Sequence, residues 1–340
     1  MLQPLFAFIG KYWHLSREAL VFSPFDLEEC FTFLDLRRHE AIASGDQAAI
    51  GAALRLERLL TDLLLDFLSE CEHWFHDCKP FRELARVILR KKSAVLTFNY
   101  DMLLELAIES ETPSRVPEMG KLVAGEEQNG VVTDEQMGYS PHEWNAYAAY
   151  GVDFDTIALR IPGNLRLVDG SRYFTHPRNQ LTPPRFLKLH GSLGWFSHSG
   201  YRIDGSKLES APKATLRRSI QRIGSPELDY EDGEVLLPLL ITPVLNKRYD
   251  QHPIFRSIWT QAKEDLTDCE TLVVGGYSFP PTDFHVRRLL REAFAERGPE
   301  SLCIINPDSA VVHVAKDLCN FRGDVAISHS VEEFVGGPLA

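Results

Sequence analysis

Nothing in this 340-residue chain reads as a helical membrane span: no apolar run approaches the roughly 20 residues that one needs. Paired cysteines are missing too. Cys30, Cys71, Cys78, Cys269, Cys303 and Cys319 include no C-x-x-C spacing, which argues against a zinc module of the usual form. Five of them sit among apolar residues and read as small buried hydrophobes, so nothing calls for an oxidising compartment and a cytoplasmic location is the expectation. Positive charge is scarce. Against 48 Asp+Glu stand 36 Lys+Arg, a net charge of −12 that repels phosphate backbones and disfavours broad nucleic-acid binding. The stretch Met1 to Lys11 is apolar but has neither a basic leader nor a small-residue cleavage site, so it reads as helix rather than as a signal peptide.

What is present suits a globular chain. Apolar residues make up 44% and charged residues 25%, and the length supports a well-buried core. To about residue 90 the pattern is helical. Asp26-Leu27-Glu28-Glu29 opens a helix carrying Phe31, Leu34 and Leu36. A longer one follows Ser44-Gly45-Asp46, with Leu56, Leu59, Leu60, Leu63, Phe67, Cys71 and Trp74 at spacings of three and four. Pro80 is expected to end it, and Phe81 to Leu89 to form a third helix.

Beyond this point strands and helices alternate. Ser93–Phe98, Arg185–Leu189, Leu237–Ile241, Thr271–Val274, Ser301–Ile305 and Asp324–Ile327 read as strands. Met102–Ile108 and Asp283–Phe294 read as helices, and another lies between the last two strands. Such alternation predicts an α/β fold, a mostly parallel sheet with helices on both faces, in a single domain spanning 1–340. Two stretches, 112–184 and 198–233, carry weak strand signals and read as irregular insertions.

In an open parallel sheet, ligands bind beyond the carboxyl ends of the strands, so the segments after each strand are the candidates. The first is Thr97-Phe98-Asn99-Tyr100-Asp101. Asn or Asp before a helix is a common cap, and taken alone that plain role wins. The second, Lys188-Leu189-His190-Gly191-Ser192, ends a strand with a His and follows it with a Gly that permits close approach. A His satisfied by core hydrogen bonds is its ordinary alternative. The third runs from Val274 through Gly275-Gly276-Tyr277-Ser278-Phe279 to Asp283. Its glycines suit a tight turn or a ligand, and the mismatch to G-x-G-x-x-G disfavours an ordinary dehydrogenase. The fourth, Ile305-Asn306-Pro307-Asp308, offers an Asn for a ribose hydroxyl or a cap for the next helix.

Together these loops resemble the sirtuin family, and its prokaryotic sirtuin-like branch above all. That branch carries Asn-Tyr-Asp after one strand, Lys-Leu-His-Gly after a later one and Gly-Tyr-Ser-Phe-x-Asp near its end. Here Asn99-Tyr100-Asp101, Lys188-Leu189-His190-Gly191 and Gly276-Tyr277-Ser278-Phe279 follow in the same order. Asp283 stands later than the family's Asp, and Asn306 matches an Asn at the adenosine ribose. The likeness covers Arg90 to Val335 outside the two insertions. It implies a Rossmann-like, sirtuin-like fold behind an N-terminal helical segment, 1–90, with NAD as substrate or ligand. It implies catalytic roles for Asn99, Asp101 and His190, and NAD contacts from Thr97, Tyr100, Gly191, Gly275, Gly276, Ser278 and Asn306. The pyrophosphate of NAD is usually held by backbone amides, so the acidic chain is no obstacle.

Two departures shape the expectation. Sirtuin-like chains open with a strand and a Gly-Ala-Gly-x-Ser loop that cradles the pyrophosphate. No such loop is present, and the residues from Met1 read like the helix that follows one. The chain is therefore expected to lack the first βα unit, about twenty to forty residues. The family's deacylases carry a zinc module with two Cys pairs, which is also missing, so no zinc is expected. NAD hydrolysis to nicotinamide and ADP-ribose, the activity of several antiviral members that act in phage defence, is favoured. Protein deacylation or ADP-ribosyl transfer ranks lower. Non-catalytic binding of NAD or ADP-ribose is the alternative, ahead of a structural fragment with no ligand. Expected partners are NAD and either further copies of the chain or a separately encoded sensor, with no nucleic acid and no membrane.

Overall fold

The computed structural model describes residues 3–16, 18–19, 25–75, 78–111, 149–152, 154, 156–161, 164–169, 185–208, 214–217, 234–241, 252–281 and 283–337. Four helices lead: α1 (Gln3–Trp13), α2 (Leu27–Ser44), α3 (Gln47–Phe75) and α4 (Lys79–Lys91). Asp26 caps α2 by accepting the Glu29 amide at 3.0 Å, and Gly45, in the left-handed region, closes it. Leu5, Phe8 and Ile9 of α1 pack with Cys30, Phe31 and Leu34 of α2 and Leu60 of α3 in a core of their own. Leu36, expected on that face, is 55% exposed. Two residues past Leu34 it stands about 200° further round the helix. Pro80 does not end α3. It lies in the first turn of α4, where its missing N–H costs nothing.

The rest of the chain, in order, is β1 (Val95–Thr97), α5 (Leu103–Glu111), β2 (Thr156–Ile161), β3 (Asn164–Asp169), β4 (Phe186–Lys188), β5 (Gly191–Arg202), β6 (Ala214–Arg217) and β7 (Glu234–Leu240). Then come α6 (Pro253–Thr267), β8 (Thr271–Gly275), α7 (Phe284–Ala293), β9 (Ser301–Ile305), α8 (Val311–Leu318), β10 (Ala326–Ser328) and α9 (Val331–Val335). The architecture is mixed α/β. Its described strands form three sheets rather than one: a parallel pair β1-β4, a parallel sheet β10-β9-β8, and a five-stranded mixed sheet β3-β2-β6-β5-β7.

Two expectations change here. Leu237–Ile241 does not join the parallel series, since β7 runs antiparallel to β5. The stretches 112–184 and 198–233 are not wholly irregular: they supply β2, β3, β6 and the latter part of β5 to the mixed sheet. β2 and β3 pair locally as a hairpin, with Ile161 opposite Asn164, but β2 meets β6 far along the chain, with Thr156 opposite Thr215, and tertiary pairing overrides weak local strand propensity. Residues 112–148, 170–184, 209–213 and 218–233 lie outside the described residues.

β9 displays the layering. Leu302 and Ile304 join the main core with Val286, Leu289 and Leu290 of α7 and Val311 and Ala315 of α8. Cys303 and Ile305 pack instead with Val87 of α4 and Phe334 of α9. Alternate residues thus meet helices on opposite faces, as a strand's two-residue period requires. Cys30, Cys303 and Cys319 are buried and Cys78 and Cys269 half-buried, while the side chain of Cys71 lies outside the described residues. Burial pushes the Cys30 and Cys319 thiols up to about 12.

The strands β1 and β8 are less covered. Along β8 exposed and half-buried residues alternate, and Val273 is 39% exposed. β1 is half-buried throughout, while its neighbour β4 is buried. Among the described strands, β1 pairs only with β4 and β8 only with β9. Yet Val95, Leu96, Leu272 and Val274 all pack against the same core. Among the described residues no helix is long and apolar enough to cross a membrane.

Candidate functional site

The carboxyl ends of the parallel strands converge. β1 ends at Thr97 beside Lys188, the last residue of β4, and the Leu189 amide donates to the Thr97 carbonyl at 2.9 Å. β8 ends at Gly275 beside Ile305, and the Gly276 amide donates to the Ile305 carbonyl at 2.9 Å. Aromatic rings link the two pairs. The Phe98 ring lies 5.1 Å from that of His190 and 4.5 Å from that of Tyr277. His190 Nε2 is 3.9 Å from Asp283 Oδ1, and Asp283 Oδ2 accepts the Tyr277 hydroxyl at 2.6 Å. His190 and Asp283 are only 6% and 4% exposed, so an imidazole and a carboxylate face each other with little water between them. The separation is longer than a hydrogen bond, so the carboxylate acts on the ring through its charge.

Between His190 and Gly191 the chain turns directly into β5, so the second candidate loop is a two-residue turn rather than an open loop. Gly191 has φ 86°, and the Leu239 carbonyl oxygen occupies the place a Cβ would take. That glycine serves the packing of β5 on β7. Gly276, with φ 67°, has nothing within 4 Å of its Cβ position, which leaves open space at the end of β8. Beyond it Ser278 is exposed, and buried Phe279 holds φ 53°, a strained value for a residue with a side chain. Its carbonyl accepts Arg287 Nη1 at 3.0 Å.

Tyr100 anchors the first loop. Its hydroxyl donates to the Ile241 carbonyl at 2.9 Å, and its carbonyl accepts the Leu193 amide at 2.9 Å and the Ser192 hydroxyl at 3.4 Å. Burial pushes its phenol well above the ordinary range, and the negative charges of Glu28 and Asp283 add to the shift. Asp101 Oδ1 accepts the Leu103 amide at 3.0 Å, the plain capping role for α5. Asn99 is exposed, its amide bonded to Thr97 Oγ1 at 3.1 Å. Asn306 is 8% exposed and takes its own turn role, Oδ1 accepting the Asp308 amide at 2.9 Å.

All the residues chosen from sequence therefore lie at the carboxyl ends of the parallel strands, but they do not all have the same claim on a ligand. Asp101, Gly191 and Asn306 are engaged in local structure. The aromatic pair Phe98 and Tyr277 and the carboxylate Asp283 were not chosen. Asp283 left a signal, an acid after Tyr-Ser-Phe, but displaced by Pro280-Pro281-Thr282. Lys188 left another, a cation between Leu187 and Leu189 in a buried strand. It forms an ion pair at 2.8 Å with Glu105, both side chains being buried.

A surface cavity of about 520 Å³ lies apart from these residues, lined by Val312, Lys316, Asn320 and Ile327. Among the described residues no three His, Cys, Asp or Glu side chains gather in a group that suits a metal ion. No family model matches the chain, and no curated protein matches it.

Proposed function

We propose that this chain is a sirtuin-like NAD-binding protein that hydrolyses NAD to nicotinamide and ADP-ribose. The observation that carries the proposal is the meeting of Phe98, His190, Tyr277 and Asp283, from three distant segments, at the carboxyl edge of two parallel sheets. Such an edge is where open α/β sheets bind ligands. The chemistry of the residues fits NAD. Two aromatic rings suit a flat pyridinium, and the open backbone at Gly276 suits a ligand that comes close to the main chain.

The leaving group of NAD is a cationic pyridinium. It departs as neutral nicotinamide with the electron pair of the C–N bond, so little acid catalysis is required. Water adds to the ribose C1′, and its proton passes to His190, whose charged form the Asp283 carboxylate favours. Asn99 orients the water or the nicotinamide carboxamide. Asp101, whose Oδ1 caps α5, keeps the turn bearing Asn99 in place. Ser278 and Asn306 serve the adenosine half.

The sheet belongs to the same proposal. β4-β1 and β8-β9-β10 are taken as parts of one Rossmann-like sheet, with a strand between β1 and β8 supplied from outside the described residues. Support comes from the edges of β1 and β8 that have no partner among the described strands, from their common core, and from the exposure of Val273.

The test is nicotinamide release from NAD by the purified chain beside His190→Ala and Asn99→Ala. Release is expected to fall about 100-fold or more in each variant, with melting unchanged in Asn99→Ala and lowered, but still cooperative, in His190→Ala. Near-normal release in either would remove that residue from the mechanism. A melting shift on adding NAD, with no release even from the parent, would favour non-catalytic binding.

A further inference from the structure

Lys188 and Glu105 are among the most deeply buried charges in the described structure, with side chains 0% and 2% exposed. The Lys188 Nζ lies 2.8 Å from Glu105 Oε1, and Tyr150, fully buried, donates its hydroxyl to the same oxygen at 3.2 Å. Burial pushes the Glu105 carboxyl up, and the neighbouring ammonium pulls it back. An ion pair removed from water adds little net stability, and apolar residues of similar size often serve as well. Stability alone is therefore a weak reason for this pair.

A third bond supplies a stronger one. Lys188 Nζ also donates to the backbone carbonyl of Asp101. The first carbonyl of the α5 ladder is that of Met102, which accepts the Leu106 amide at 3.0 Å. The Asp101 carbonyl stands one residue outside that ladder and turns to the ammonium. The carbonyl before it, on Tyr100, accepts the Leu193 amide and the Ser192 hydroxyl. Two successive carbonyls of the turn are thus held by donors from the segment 188–193, and Asn99 sits on the peptide just before them.

We infer that Lys188 is a positioning residue for the Asn99-Tyr100-Asp101 turn, with Glu105 and Tyr150 holding its ammonium in place. The hold on the turn stands by itself; its effect on turnover rests on the proposed NAD hydrolysis. Lys188→Met alone would leave Glu105 buried without its cation and destabilise the fold. The decisive variant is Lys188→Met with Glu105→Leu, which replaces the pair by apolar groups and removes the donor to Asp101.

In the double variant, amide hydrogen exchange at residues 99–103 is expected to rise about tenfold or more relative to exchange in β9, with a modest fall in melting temperature because the buried Tyr150 hydroxyl loses its Glu105 acceptor. Nicotinamide release should lose about tenfold or more in kcat with KM for NAD little changed. Glu105→Gln, which keeps the ammonium but loosens its hold, should raise exchange at 99–103 less than the double variant does. Parent-like exchange in the folded double variant would overturn the inference. So would equal acceleration in Glu105→Gln, since the hold would then belong to the carboxylate. A parent that releases no nicotinamide would remove the NAD reading while the exchange result still decides the role of Lys188.

Discussion

Gly191 and Gly276 both adopt left-handed φ values, 86° and 67°, for different reasons. At Gly191 a side chain would meet the Leu239 carbonyl, whereas at Gly276 it would project into open space. Gly191→Ala is expected to cost about 2 kcal/mol or more in urea unfolding, from strain and steric conflict together. Gly276→Ala should cost only about 1 kcal/mol, yet, on the proposed NAD reading, reduce the melting shift produced by NAD, because the added methyl enters the open space at the end of β8. The opposite ranking would reverse the two assignments. At this scale much was legible. Asn99 and His190 are chemically marked residues at strand ends, and a local window suffices to find them. Asp283 and Lys188 stand in the sequence motifs but carry no role there, because what makes them notable is who stands opposite: His190 and Tyr277 for one, Glu105 and the Asp101 carbonyl for the other.

Two helices begin with an Asp and use it differently. Asp26 caps α2 through its carboxylate, while Asp283 makes no side-chain cap bond at the start of α7 and instead meets Tyr277 and faces His190. Asp26→Ala should cost about 1 kcal/mol of stability, read by thermal melting, and leave nicotinamide release unchanged. Asp283→Asn should lower release about tenfold or more with a smaller change in melting. If Asp283→Asn instead behaved like a lost cap, its place beside His190 would be incidental. The existence of most of these elements was legible from periodicity. α2, α3 and α4 follow their apolar spacing, and β1, β4, β8, β9 and β10 fall within or beside the expected apolar runs. The mixed sheet was not, because although β2 and β3 form a tight hairpin, with Ile161 opposite Asn164, β2 joins β6 and β6 joins β5 only across longer stretches of chain.

For the whole molecule the open question of packing is the face of β8. Val273 stands in register with Cys303 of β9, yet Cys303 is 1% exposed and Val273 39%. α4 and α9 cover that face at β9 and leave it open at β8. Val273→Lys in the present chain should therefore cost less than about 0.5 kcal/mol. It should also reduce any self-association seen by light scattering, because a charge guards an unpaired strand edge. A cost of about 2 kcal/mol or more would instead show that Val273 is covered in the folded chain.

Taken by itself, the sequence determined the local features of this protein: helices from 3.6-residue periodicity, short strands from apolar runs, and polar residues waiting after those strands. These are properties of neighbouring residues, written in windows of a few turns. Only the tertiary structure decided which strands pair and in which direction, that β7 leaves the parallel series, and that Phe98, His190, Tyr277 and Asp283 share one edge. It also decided that Lys188 meets Glu105 across 83 residues of chain. The reason is physical. Pairing and burial are settled between segments distant in sequence, by the shape and charge each finds on the other, and no single window of residues contains both partners.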